Sequence, residues 1–369
     1  MSGADADRSI EAAARLAFER LVESALGDAR KLAALANLAL ANGPAERAYA
    51  LAKQARALAP GDPDVRSRTE LAFAHGVPRW HFGIVRDSRR NAAYDRALRR
   101  SVTESTRVLD IGAGTGLLAL MAGRAGAASV TSCESSPAVA DAASEIVALN
   151  GLGDRVRIVP KRSTEFDAEA DMGGRADLIV SEIVSSDMLG QKVLEVMEDA
   201  VARLLAPGGR VIPARGQVRV ALAFWEGLDR RRLGEVEGFD LSPFNRLEAS
   251  PLPLKPGDPG LGLRSAAADL FDFDFASGGP FRPGASALTL AASGGPVNGI
   301  AQWIRLELDE ATDYENAPAP GAASCWNLLF HTLEAAIEPA AGEAIRVRGA
   351  HGPDSLRVWL ERGPPGPDR

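Results

Sequence analysis

Three observations predict an α/β chain in three parts. A short apolar strand runs into a glycine-rich corner and then a helix, at residues 107–124. Strands and helices alternate between residues 79 and 215, and short alternating segments separated by Gly/Pro turns take over after residue 216. The parts are an α-helical N-terminal region (1–77), a Rossmann-like parallel sheet with helices on both faces (78–215) and an all-β, barrel-like domain (216–369). A length of 369 residues suits two or three domains at roughly 150 residues each. Apolar residues at 46% and charged residues at 25% exclude a disordered, collagenous or coiled-coil chain.

Residues 10 to 73 are rich in Ala and Leu at helical spacing and read as about four helices. Leu32 to Ala36, then Ala48, Ala55 and Leu58 to Pro60, fit one tetratricopeptide-like helical pair. Gly43-Pro44 marks its turn, and Pro60-Gly61-Asp62-Pro63 its stop. Two readings stay open: an Ala-rich cap that packs on the next domain or a second subunit, or a repeat surface that binds peptide.

The sheet follows in order. Arg107 to Ile111 is a strand, and Leu117 to Arg124 opens a helix. Ser129 to Cys133 is the second strand, ending at Glu134. Pro137 to Asn150 is a helix, with proline suited to its first turn. Val156 to Val159 and Ala176 to Val180 are the third and fourth strands. Leu194 to Leu204 is helical and stops at Pro207-Gly208-Gly209, before a fifth strand at Arg210 to Ile212. In the last part the strand segments are 217–223, 287–292, 300–308, 325–333, 344–348 and 355–360.

Composition narrows the function. No stretch reaches the ~18–20 apolar residues of a membrane helix. Met1 to Asp7 is acidic and small, without the basic and apolar regions of a secretory signal. Cys133 and Cys325 are too few for a disulfide framework. These features point to the cytoplasm and away from a membrane partner. A net charge of −7 disfavours a nucleic-acid backbone as partner. The histidines His75, His81, His331 and His351 and the two cysteines show no metal-ligand spacing, so no metal is expected.

The strongest motif is Val108-Leu109-Asp110-Ile111-Gly112-Ala113-Gly114-Thr115-Gly116. Three glycines at alternate positions, at a strand-to-helix corner, permit a tight turn and close approach of a ligand to the backbone. Glu134 ends the next strand, where a carboxylate can accept both hydroxyls of a ribose. The Gly-x-Gly-x-Gly spacing favours S-adenosylmethionine over a dinucleotide. The competing reading is a tight packing turn in an α/β domain.

From Trp80 to about Trp359 the chain resembles the protein arginine methyltransferases, nearest the branch that includes a tetratricopeptide-bearing member. The matching segments are Arg79-Trp80-His81-Phe82, Asp87-Ser88-Arg89-Arg90-Asn91, Val108 to Leu118, Lys161 to Glu165, Ser181-Glu182, Gly238 to Ser242 and Ser324-Cys325-Trp326-Asn327. The resemblance implies an arginine N-methyltransferase whose β-barrel domain takes the substrate. S-adenosylmethionine would be donor, and the acceptor a guanidino nitrogen of an arginine-containing protein, of free arginine or of a small guanidino compound. It assigns Arg90 to the cofactor's carboxylate, Asp110, Gly112 and Gly114 to its methionine part, Glu134 to the ribose, and Ser163 and Glu165 to the adenine. Trp80, His81 and Phe82 would form a short helix over the cofactor. Core packing and active-site contact are equally open for His81.

The family uses two glutamates after the fourth strand to localise the guanidinium's charge, which frees one nitrogen to attack. Here Glu182 matches the first, but Gln191 stands where the second belongs, and Asp187 is the only other carboxylate on the loop. Either Asp187 compensates, or Glu182 acts alone, or the substrate is not the usual peptidyl arginine. Ser324-Cys325-Trp326 stands where the family often has Thr-His-Trp, so Trp326 would wall the substrate pocket and Cys325 is a small packing residue. Glu226 to Glu237 corresponds to the family's dimerisation arm, which implies a homodimer. The bland alternatives are a helix-surface Arg90, a solvated Glu165, a strand-end Glu182 and a barrel-core Trp326. At the level of function they are a methyltransferase for another N or O nucleophile, or a non-catalytic cofactor-binding interaction protein.

Overall fold

The computed structural model describes residues 3–42 and 45–361; the expected Gly43-Pro44 turn lies outside the described residues. Contacts divide the chain into two compact units: Met1–Arg79 with Ser136–Ala142, and Trp80–Ser135 with Ala143–Arg369.

The first unit contains α1 (Gly3–Ala25), α2 (Ala29–Asn42), α3 (Ala45–Leu58) and α4 (Pro63–Ala74). On α3, Ala48, Leu51, Ala52 and Ala55 follow the i, i+3, i+4, i+7 pattern and are all buried. They share a core with Leu32, Ala33 and Ala36 of α2, because small side chains let the two backbones come close. Asp62 starts α4 by accepting from the Asp64 and Val65 N–H groups at 2.8 and 3.3 Å, with Pro63 in the first turn.

The second unit opens with α5 (Trp80–Ile84) and α6 (Ser88–Ser101). Then come β1 (Arg107–Ile111), α7 (Leu117–Arg124), β2 (Ser129–Cys133), α8 (Pro137–Leu149, its first turn grouped with the other unit), β3 (Val156–Val159), α9 (Ala168–Met172), β4 (Ala176–Ser181), α10 (Val193–Arg203) and β5 (Leu205–Ile212). The five strands are parallel in the order β3-β2-β1-β4-β5. The order reverses between β1 and β4, and in such sheets that switch point opens a crevice at the carboxyl ends. The glycine corner after β1 and Glu182 after β4 both sit there.

β5 begins five residues earlier than the sequence suggests and takes in Pro207-Gly208-Gly209 through a register shift. Pro207 is tolerated because β5 is an edge strand of this sheet.

The chain then enters an antiparallel, curled β region, as expected. Its strands are β6 (Arg215–Trp225), a small hairpin of β7 (Glu235–Val236) and β8 (Phe239–Asp240) following α11 (Gly227–Arg231), β9 (Leu252–Leu254), β10 (Leu261–Leu263), β11 (Ala268–Asp274), β12 (Gly284–Ala291), β13 (Val297–Asp309), β14 (Thr312–Glu315), β15 (Leu328–Ile337), β16 (Ala344–His351) and β17 (Leu356–Leu360). One sheet runs β10-β6-β13-β15-β9, with β11 on β6 and β14 on β13; β12-β16-β17 form another. Strands β9 to β11 were not anticipated. The first two are three residues long, and β11 carries Asp269, Asp272 and Asp274, whose charge masks the apolar Leu270, Phe271 and Phe273. One apolar core includes Leu109 and Ile179 of the parallel sheet together with Phe275, Ile304, Leu306 and Trp326 of the β region. The two halves of the site are therefore fixed by common packing.

Helix α7 lies close on the sheet. A Cβ at Gly123 would sit 2.8 Å from Cγ2 of Val156 on β3. Alanine is the better helix former by about 1 kcal/mol, but a β-branched strand neighbour cannot rotate away, and overpacking of this kind costs about 1–3 kcal/mol. Gly123→Ala is therefore expected to lower stability by up to about 2 kcal/mol, read as a reduced midpoint in chemical denaturation. An unchanged or raised midpoint would show that the α7–β3 contact is loose.

Candidate functional site

The glycine corner is pinned before any ligand is considered. Gly112 and Ala113 donate their N–H groups to the Cys133 carbonyl at 3.0 and 2.9 Å, and Gly116 donates to Ala113 at 2.7 Å. Gly112 has φ +86°, and a Cβ there would meet Ile183 Cγ2 at 2.6 Å, so the corner and the residue after Glu182 close on each other. Gly114 has φ +51°, and the nearest atom to a Cβ there is His81 Cδ2 at 3.7 Å. The short helix α5 thus passes over the corner, with His81 stacked on Trp80 at 3.9 Å between ring centroids.

Two carboxylates flank the corner. Asp110 is 1% exposed and lies opposite Ser132 across β1 and β2; Ser132 Oγ donates to its Oδ2 at 2.7 Å. Its Oδ1 is buried with no hydrogen-bond partner. Burial pushes the Asp110 carboxyl up to about 6, against the lowering effects of Ser132 and Arg90. Glu134 is buried just past β2 and accepts the Gly114 N–H at 3.1 Å. These features fit S-adenosylmethionine: an orphaned buried carboxylate oxygen suits its cationic amino group, and a strand-end carboxylate suits its ribose.

Ser163 is buried, and Arg203 of α10 donates to its carbonyl at 3.1 Å. Glu165 is exposed, and its Oε2 accepts the Arg162 N–H at 3.2 Å. Of the two residues assigned to the adenine, only Ser163 is enclosed.

Arg90 is not on the helix surface. Its side chain is 4% exposed, it donates to Asn91 Oδ1 at 2.7 Å, and it is ion-paired with Glu182, whose side chain is 6% exposed. The residue assigned to the donor and the residue assigned to the acceptor are thus in direct contact. Below the pair, Tyr94 is fully buried and donates to the Ser181 carbonyl at 3.1 Å, with the Arg90 guanidinium 5.0 Å from its ring centre.

The loop after Glu182 is held by its own polar groups. Asp187 Oδ1 accepts from the Ser185 hydroxyl, from Leu189 N–H at 3.2 Å and from Gly190 N–H at 3.1 Å. Met188, fully buried, and Lys192 take positive φ of 79° and 57°, a costly backbone for non-glycine residues. Gln191 is exposed.

The β region clamps this loop from the other side. Trp326 is buried, and its indole Nε1–H donates to the Val184 carbonyl at 3.2 Å. Asn327 N–H donates to Ser186 Oγ at 3.1 Å. Cys325 is partly buried, and burial pushes its thiol up to about 12, so it is an uncharged packing group. The structure therefore brings Arg90, Asp110, Glu134 and Glu182 to the end of the parallel sheet that carries the two glycines, with Trp326 hydrogen-bonded to the loop after Glu182. It leaves Glu165 and Gln191 exposed and commits Asp187 Oδ1 to its own turn. Among the described residues no group of three or more His, Cys, Asp or Glu side chains is arranged to hold a metal ion.

Sequence reasoning missed three members of this set. Asp87 is the N-cap of α6: its Oδ1 accepts the Arg90 N–H at 3.0 Å. Asn316 is buried and spans β13 and the 326–327 segment. Tyr314 is buried on β14 beside Trp326. Only Asp87 carried a local signal, an aspartate directly before a helix.

Comparisons with known proteins agree with this geometry. A family model described as ribosomal protein L11 methyltransferase (PrmA) matches residues 95–214. The chain is 34% identical over 329 residues to an "Arginine N(omega)-methyltransferase" from Streptomyces achromogenes subsp. streptozoticus, covering 87% of this chain and 91% of that protein. It is 32% identical over 264 residues to "Protein arginine N-methyltransferase 7" from Oryza sativa subsp. japonica, covering 65% of this chain but only 36% of that longer protein. Among solved structures, the Trypanosoma brucei PRMT1 enzyme-prozyme heterotetrameric complex with AdoHcy superposes with a TM-score of 0.65 at 23% identity, over 79% of this chain and 95% of that one. With the strand order, the glycine corner and the near full-length match in hand, the chain belongs to the arginine N-methyltransferases, enzymes that take their methyl group from S-adenosylmethionine.

Proposed function

We propose that this chain methylates a guanidino nitrogen of arginine, with Glu182 as the carboxylate that engages the guanidinium and free arginine as the first acceptor to test. The observation that carries the reading is the buried Glu182 side chain at the switch point of the sheet, against Arg90 and beside the glycine corner. The near full-length relative is named for arginine, whereas the relatives named for protein arginine extend far beyond the match. A protein acceptor is the second reading, favoured by those relatives. Labelled donor with free arginine, beside an arginine-rich peptide, separates the two.

S-adenosylmethionine, when bound, supplies an electrophilic methyl on a sulfonium. Asp110 would hold its amino group, Arg90 its carboxylate, Glu134 its ribose, and Ser163 the region of its base. Gly112 and Gly114 keep side chains out of that path. Arg90 is paired with Glu182; were it to hold the donor's carboxylate instead, Glu182 would be free to accept from a guanidinium. Glu182 then draws positive charge toward itself and away from the attacking nitrogen, and orients that nitrogen for in-line transfer. Trp326 walls the acceptor pocket. Asp187 holds the turn, Gln191 supplies no charge, and Glu165 stays at the solvent edge.

We also infer a homodimer built on the 226–237 arm and the segment that follows it, where Phe239, Phe244 and Leu247 are 70%, 65% and 68% exposed. The α2–α3 pair is read as tetratricopeptide-like on its buried small residues. No helix among the described residues is long and apolar enough to cross a membrane. Two free cysteines suit a reducing cytoplasm.

Two outcomes check the site. Glu182→Gln is expected to lower turnover on the order of 10²–10³-fold, the usual loss for one preorganised electrostatic contact. Calorimetry should show that S-adenosylhomocysteine still binds, since Glu182 no longer competes for Arg90. Asp187→Asn is expected to cost far less in rate. A Glu182→Gln enzyme with near-normal turnover on every arginine acceptor would remove Glu182 from the chemistry, and equal losses in both variants would make Asp187 the second charge.

The second outcome concerns pH. The ionised form of Asp110 binds a cationic amino group, so affinity for S-adenosylhomocysteine should rise with pH up to about 6 and then level off. Below that, affinity should fall about tenfold per pH unit, with proton release on binding. For the unliganded chain the sign is opposite. The folded value of about 6 lies above the ordinary 3.8, so this group's stabilisation is complete at low pH and is lost as pH rises through 6. Affinity that is flat from pH 5 to 8 would exclude Asp110 as the partner.

A further inference from the structure

Tyr314 lies on β14, ten residues before Ser324 but far in sequence from α6, and it touches both Ser324 and Asp87, the residue that caps α6. Its ring packs edge-on against Trp326 with centroids 5.5 Å apart. Its hydroxyl donates to Asp87 Oδ2 and lies 2.7 Å from Ser324 Oγ. Asp87 Oδ2 also accepts the Cys325 N–H at 3.0 Å, while Oδ1 accepts the Arg90 N–H at 3.0 Å. Ser324 Oγ in turn accepts the Trp326 N–H at 3.1 Å.

Proton directions follow from chemistry. Burial pushes the Asp87 carboxyl up, but the Tyr314 hydroxyl and the Arg90 and Cys325 N–H groups outweigh it, and the acid stays below its ordinary value. An ionised carboxylate only accepts. The phenol, raised by burial and by Asp87, keeps its proton and donates it. Ser324 is left to donate to the Tyr314 oxygen. One directed chain of hydrogen bonds therefore runs from Trp326 N–H through Ser324 and Tyr314 to Asp87, and Asp87 caps the helix that carries Arg90.

We propose that Tyr314 is a positioning residue for methyl transfer, whose hydroxyl, acting through Asp87, holds the Arg90 side and the Trp326 side of the site in register. The ring alone would fill the same space; the hydroxyl adds, beside the direct contact of Cys325 N–H with Asp87, a second tie between segments more than 200 residues apart in sequence. The inference rests on the reading that Arg90 meets the donor and Trp326 the acceptor.

Tyr314→Phe keeps the ring and removes the hydroxyl's tie, leaving the Cys325 N–H contact with Asp87 in place. Losing one hydrogen bond to a charged group corresponds to about tenfold. The expected result is about tenfold weaker binding of S-adenosylhomocysteine by calorimetry, together with about a tenfold higher KM for arginine. Placed on Asp87→Asn, the same change should add little to either, because neighbours in one network are not additive. Ser324→Ala cuts the chain on the Trp326 side, and is expected to raise KM for arginine while S-adenosylhomocysteine affinity stays within about twofold. It serves as the readout if Tyr314→Phe does not fold. Unaltered affinity and KM in Tyr314→Phe, whatever its melting temperature, would overturn the proposal. So would full additivity with Asp87→Asn, or a Ser324→Ala enzyme that loses donor affinity and keeps its KM. Arg90→Lys tests the underlying reading by itself: unchanged S-adenosylhomocysteine binding there removes Arg90 from the donor site. Impaired binding there, with normal binding in Tyr314→Phe, removes only the role given to Tyr314.

Discussion

A guanidinium and a carboxylate buried against each other set the terms for this site. Taking an arginine and a glutamate out of water costs several kcal/mol for each charge, and only a close partner offsets that cost. Arg90 and Glu182 meet that condition with each other, on elements that reach the switch point from different directions, α6 and the end of β4. Much around them serves to hold that meeting. Asp87 caps α6 at the Arg90 backbone, Tyr94 ties α6 to the end of β4, and Trp326 and Asn327 grip the loop beyond Glu182. Without ligands, each of the two buried charges is compensated by the other. A carboxylate held by Arg90 and a guanidinium held by Glu182 would together replace the pair, so that each buried charge keeps an opposite partner.

How much of this was legible in the sequence depends on how local the determinant is. The glycine corner, Asp110 and Glu134 lie within one strand–helix–strand stretch, and spacing alone placed them together. The parallel sheet and the antiparallel region were legible for the same reason, through strand periodicity. The β5 boundary was not: Pro207-Gly208-Gly209 reads as a stop, and only the position of β5 at the sheet edge makes it part of a strand. The contact between Arg90 and Glu182 was also hidden. Each residue was assigned a separate ligand, and nothing at a separation of 92 residues announces an ion pair. Tyr314 and Asn316 were invisible because their meaning lies wholly in partners from other strands and loops.

The two departures from the family pattern, at Gln191 and Cys325, reduce charge on the acceptor side. Gln191 is neutral and exposed, and Asp187, the nearest substitute in sequence, has one carboxylate oxygen already occupied by three donors from its own loop. Cys325 is a neutral thiol, and both its backbone N–H and its side chain reach Asp87. The anionic field that would polarise a guanidinium is thus concentrated on Glu182. A single carboxylate in a dry setting is a stronger influence than the same group in water, because the interaction scales inversely with the local dielectric. The wall formed by Trp326, the buried Tyr314 and the close contact of Ile183 with Gly112 supply that dryness. With one charge in place of two, orientation has to come from packing and from neutral hydrogen bonds. Under the proposed reading, the uncharged donors from Tyr314, Ser324, Asn316, Trp326 and Asn327 would supply that orientation.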